Sequence, residues 1–133
     1  MTPPLRRGGV WDQIQETIQA IRENASDTPK IGVILGPGLG GLGEKIASPV
    51  SLPYEAIPHF PRSTVEGHKG QMVFGRIGGK PVVVMEGRFH AYEGYSAGEV
   101  TYPVRIMRAL GAEILIVSNA AGGLDPAFAA GDL

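Results

Sequence analysis

Apolar residues recur at two periods along this chain, and the alternation between them sketches the fold. Trp11, Ile14, Ile18 and Ile21 fall three and four residues apart with Gln, Glu and Arg between them, which predicts an amphipathic helix ending near Asn24. Residues 31–35 form a short, almost continuous apolar run and predict a buried strand. A short helical piece is expected over 42–47. Residues 48–70 are proline-rich and predict an irregular loop. Two strand-like runs, 71–77 and 80–86, are joined by Gly78-Gly79, a strong two-residue hairpin signal. A second helix is expected over 98–110, with Val100, Val104, Met107 and Leu110 on its apolar stripe, Pro103 in its first turn and Gly111 at its end. Residues 114–118 predict another buried strand. Strands alternating with helices, plus one antiparallel hairpin, define an α/β protein with a mixed central β-sheet flanked by helices.

The 133 residues suffice for one domain spanning 1–133, with 1–9 as a loose arm. Apolar residues make up 43% and charged residues 19%, which excludes a disordered chain. No apolar run nears the ~20 residues that cross a bilayer, so no membrane partner is expected. The first residues lack the apolar core of a secretory signal, and with no cysteine the composition fits a reducing, cytoplasmic setting. The net charge of −1 provides no field to draw nucleic acid. Three scattered histidines without ligand spacing give no reason to expect a metal.

Candidate chemistry gathers where predicted strands end. After 86 comes Gly87-Arg88-Phe89-His90-Ala91-Tyr92-Glu93-Gly94-Tyr95, with a permanent forked cation in Arg88 and a titratable ring in His90. Glu93 is within local reach of His90 and fits holding its tautomer or its cationic form. After 35 comes Gly36-Pro37-Gly38-Leu39-Gly40-Gly41, where a strand, a glycine turn and a helix start would present free N–H groups to an anion. After 118 come Asn119, Ala120, Ala121, Gly122 and Gly123, small enough for a ligand to approach the backbone. The 48–70 loop adds Arg62, Ser63, Thr64 and His68. The cluster as a whole points to an anion site. Gly36, Gly38 and Gly41 also satisfy G-x-G-x-x-G, with Glu55 at the spacing of a ribose-binding acid, which keeps a dinucleotide-binding domain as an alternative. Pro49 and Pro53 argue against it, because proline does not sit in a central parallel strand.

Four strings in order carry a resemblance: G-P-G-L-G-G-L at 36–42, F-P-R-S-T-V-E-G-H at 60–68, G-R-F-H-x-Y-E-G-Y at 87–95 and S-N-A-A-G-G-L at 118–124. From about residue 31 to 133 the chain resembles the N-terminal portion of the trimeric purine nucleoside phosphorylases and, less closely, their methylthioadenosine phosphorylase relatives. The resemblance implies a truncated nucleoside phosphorylase-like fold. It also implies phosphorolysis of purine (deoxy)ribonucleosides to free base and pentose 1-phosphate, with inorganic phosphate as co-substrate and no cofactor. It implies that His68, Arg88, His90 and the N–H of Ala120 bind phosphate. It implies further that Tyr92 lines the ribose site, that Ala121 and Gly122 lie along the purine, and that Glu93 steadies His90 as the catalytic pair. It implies a homotrimer serving purine salvage, in a family whose chains continue about as long again and carry purine-recognising residues there. An alternative is a non-catalytic fragment that binds phosphate or nucleosides, or serves only assembly. At Pro37 the family has serine, whose hydroxyl and N–H both serve phosphate; proline offers neither, so weakened phosphate binding is expected.

Overall fold

The computed structural model describes residues 8–36, 39–62 and 70–133. Two helices, α1 (Val10–Arg22) and α2 (Ala97–Leu110), accompany five strands: β1 (Ile31–Ile34), β2 (Ala47–Pro53), β3 (Gln71–Ile77), β4 (Lys80–Glu86) and β5 (Ile114–Val117). The sheet order is β2-β3-β4-β1-β5. β1 runs parallel to both β4 and β5, whereas β2–β3 and β3–β4 are antiparallel, giving the expected mixed sheet. Gly78 and Gly79 turn the β3–β4 hairpin with φ of 56° and 76°, a conformation that side chains disfavour.

Strand side chains alternate between faces, and each face has its own core. On one, Met72, Phe74, Val83 and Met85 pack against Ile14, Ile18 and Ile21 of α1 and Tyr102, Ile106, Met107 and Leu110 of α2. Gly32 lets α2 approach closely: a Cβ there would lie 2.8 Å from the Met107 sulfur. On the other face Val33, Val73, Val82 and Val84 are buried with Ile46, and Leu42 packs against them. Both α-helices therefore cover one face. On the second face, among the described residues, the 3-10 helix Gly40–Lys45 packs through Leu42.

Several local expectations change. Residues 47–53 form an edge strand and not a loop, and a 3-10 helix, Tyr54–Ala56, follows it. Pro49 and Pro53 are tolerated because β2 pairs on one side only. The short helical piece ends at Lys45, and Ala47 already opens β2. Trp11 is 61% exposed and lies off the core, while Thr17 is fully buried. The Thr17 hydroxyl lies 2.9 Å from the Gln13 carbonyl, 2.8 Å from the Pro58 carbonyl and 2.8 Å from the Tyr102 hydroxyl, joining α1, α2 and the 57–61 turn. In α2 the buried stripe is Tyr102, Pro103, Ile106, Met107 and Leu110, one step round from the expected stripe, and Pro103 sits in the second turn. Ser96 caps α2, its hydroxyl accepting from the Glu99 N–H at 3.2 Å, and Gly111 ends it at φ 122°. β5 is a strand, but Ile114, Leu115, Ile116 and Val117 are 57%, 45%, 51% and 52% exposed, because it is the open edge of the sheet.

Candidate functional site

Parallel strands emerge from a sheet at the same end, so β4, β1 and β5 deliver their following segments together. Register makes this concrete: Ile34 pairs with Met85 on one side and Val117 on the other. Ser118, immediately after β5, then ties all three exits. Its N–H donates to the Ile34 carbonyl at 3.0 Å, and its hydroxyl accepts from the Gly36 N–H at 2.9 Å. Its carbonyl accepts from the Arg88 guanidinium at 3.3 Å. The approach of the two backbones requires glycine at 36, since a Cβ there would come within 2.6 Å of the Ser118 carbonyl oxygen.

The segment after β4 is fixed from below. Phe89 is buried, its ring 5.0 Å from Tyr54 and 5.3 Å from Tyr95. Arg88 and His90, on either side of it, are half-buried. The short 3-10 helix Ala91–Glu93 folds Glu93 back onto His90. One carboxylate oxygen accepts from the His90 backbone N–H at 3.1 Å and lies 3.2 Å from Nδ1 of its ring. This fixes the ring and favours a proton on Nδ1, and the contact becomes an ion pair when His90 is protonated. The imidazole stacks on the Tyr92 ring, with centroids 4.7 Å apart and planes at 21°. Tyr92 itself is 84% exposed, an aromatic face offered to solvent.

Of the residues singled out from sequence, Arg88 reaches the 118 segment two residues before Ala120, and His90, Tyr92 and Glu93 form one contiguous group. Ala120, Ala121 and Gly122 are exposed, and a Cβ at Gly122 would meet nothing within 4 Å. Pro37 and His68, with Ser63 and Thr64, lie outside the described residues. Arg62 is exposed, and its carbonyl accepts from the Tyr95 hydroxyl at 2.7 Å. The dinucleotide alternative is overturned. After β1 the chain continues through a 3-10 helix into β2, antiparallel to β3, so among the described residues no crossover helix leads from β1 to the next strand, and Glu55 lies beyond the edge strand. Sequence reading missed the joining role of Ser118. Its position at a strand end was visible, but which strand lies beside it was not.

An arginine, a clamped histidine and a backbone junction gather at the exits of three parallel strands of a mixed sheet. The family model of the phosphorylase superfamily matches residues 30–133, and the chain belongs to that superfamily. Its relatives include purine nucleoside phosphorylase 1 of Bacillus subtilis, 57% identical over 122 residues, covering 92% of this chain and 45% of the relative. The purine nucleoside phosphorylase of Rattus norvegicus is 48% identical over 123 residues, covering 92% and 43% respectively. A crystal structure of a purine nucleoside phosphorylase in complex with ribose-1-phosphate superposes with a TM-score of 0.84 at 47% identity, over 90% of this chain and 44% of that one. The Schistosoma mansoni enzyme in complex with inosine gives 0.84 at 44% identity, over 91% and 42%. The chain thus spans less than half the length of these relatives.

Proposed function

We propose that this chain carries the phosphate side of a purine nucleoside phosphorylase site. The observation that bears most weight is the junction at Ser118, which gathers the Gly36 turn and the Arg88 guanidinium onto the segment leading to Ala120. In the proposed reaction a phosphate oxygen bonds to the anomeric carbon as the bond from that carbon to the purine nitrogen breaks. The purine leaves with the bonding pair and takes up a proton, and pentose 1-phosphate remains. Positive charge grows on the sugar during that step, so a fixed phosphate dianion beside it lowers the barrier. Holding the phosphate in line also removes orientational entropy from the step.

The proposed roles follow from chemistry and position. Arg88 grips phosphate as a forked cation. His90, held by Glu93, donates to phosphate, and the two act as the catalytic pair. The Ala120 N–H is a further phosphate donor, as is His68. Tyr92 lines the ribose, and Ala121 and Gly122 lie along the purine. The site takes phosphate as co-substrate and no cofactor. The setting we propose is a cytoplasmic homotrimer in purine salvage, with 1–133 as one domain; of the arm expected over 1–9, residues 1–7 lie outside the described residues. A second reading is a non-catalytic fragment that binds phosphate or nucleoside or serves assembly.

Calorimetry of phosphate on the chain tests the site. Arg88→Ala removes charge-assisted bonds and is expected to cost ~1.5–3 kcal/mol, roughly ten- to a hundredfold in affinity. Pro37→Ser restores two donors and is expected to tighten binding by a similar amount; equal affinities would remove that expectation. Phosphate-dependent release of hypoxanthine from inosine separates the two readings. Folded protein that binds phosphate without turnover favours the binding fragment, and absence of phosphate binding sinks the site.

A further inference from the structure

We propose that Tyr54 is a positioning residue for the phosphate site, clamping the backbone at Gly87, which leads into Arg88, against Gly70, just before β3. The inference deepens the proposed function and rests on Arg88 as a phosphate ligand. Tyr54 opens the 3-10 helix after β2, remote in sequence from the 87–95 segment. Its backbone N–H donates to the Gly70 carbonyl at 3.1 Å, and its hydroxyl donates to the Gly87 carbonyl at 2.6 Å. Its ring lies against Gly70, where a Cβ would collide with Cε2 and Cδ2 of the ring. Gly87 closes the triangle: a Cβ there would sit 3.2 Å from the Gly70 Cα, and its φ of +100° is open to glycine and strained for other residues. The phenol is buried and packs between Phe60, at 5.5 Å, and Phe89, at 5.0 Å, each ring tilted against it.

The consequence for Arg88 is geometric. Glycine at 87 leaves the peptide between 87 and 88 free to rotate, and that peptide sets the direction in which Arg88 leaves the backbone. The Tyr54 hydroxyl fixes it one bond away. Burial, and next the Glu86 carboxylate, push the phenol well above its ordinary range, so it remains a donor at any pH at which the site would work. Glu86 is itself engaged, accepting from the Gln71 amide at 2.7 Å, and does not compete for the phenol proton.

Tyr54→Phe keeps the ring and its packing and removes only the hydroxyl. Two readouts decide. Amide hydrogen exchange over 88–94 is expected to accelerate at least about tenfold in the variant while β3 and β4 amides stay unchanged, the signature of a local opening. Phosphate affinity is expected to fall about five- to thirtyfold, the size of one lost buried hydrogen bond. Exchange that is unchanged, or faster everywhere alike, overturns the proposal, as does faster local exchange with phosphate affinity intact. If the parent chain takes up no phosphate, the phosphate reading of Arg88 fails, and exchange alone decides whether Tyr54 sets this segment. Should the variant not fold, the Tyr54 hydroxyl proton of the parent chain serves instead. Slow exchange with magnetisation transfer to Gly87 supports the clamp; rapid exchange with solvent overturns it.

Discussion

At the scale of single residues, buried polar groups fix the chain's detail. The Thr17 hydroxyl donates to one carbonyl and accepts from Tyr102, so a polar side chain inside an apolar stripe is satisfied where valine would orphan its neighbours. Tyr54 and Tyr102 share a consequence. Burial, joined by nearby carboxylates, raises both phenols, and for Tyr102 the Thr17 bond opposes part of that rise. In the unfolded chain phenols ionise near pH 10. Below about that pH both states are protonated and the contribution to stability is complete; above it the unfolded state sheds protons that the native state retains, and stability falls. Urea denaturation is therefore expected to show a plateau up to about pH 10 and a decline above it, shallower in Tyr102→Phe. A decline as steep in that variant would contradict the assignment.

At the scale of elements, most of what the pattern announced is present, and the shifts have causes. The hairpin at 78–79 was legible because only the turn chemistry of two glycines was needed. The stripe of α2 rotated because Tyr102 is drawn under by Phe60 and Thr17, contacts from distant parts of the chain. The start of α2 is locally encoded: Ser96 and Glu99 cap each other, and hydrogen bonds from the Ser96 N–H and then its hydroxyl hold the Glu99 carboxyl below its usual range. Ser96→Ala is expected to destabilise the fold by about 1 kcal/mol, read as a lower urea midpoint with unchanged slope. An unaltered midpoint would mean that tertiary packing alone holds this helix end.

At the scale of the whole molecule, the sheet is asymmetric. Its outer edge at β2 carries prolines, whereas β5 presents four exposed apolar residues and an edge unpaired among the described residues. Behind it lies a groove of about 500 Å³ lined by Ile31, Val33, Leu35, Leu42, Val82 and Ile116 among others. Such an edge templates pairing with another chain. The chain alone is expected to self-associate as concentration rises, and Ile116→Lys to suppress this, with sedimentation velocity as the measurement. A single monomeric species for the parent chain at every concentration would refute the expectation.

Sequence by itself determined the strand and helix segments with local signals, the mixed character of the sheet and the chemistry available at three strand ends. Those features depend on periodicity, turn residues and side-chain type, all of which act within a few positions. The tertiary structure alone decided that residues 47–53 are an edge strand, that β5 is open, and that Ser118 and Tyr54 join segments distant in sequence. Each depends on which strands are neighbours, and hydrogen bonds between strands leave no periodic mark on either partner.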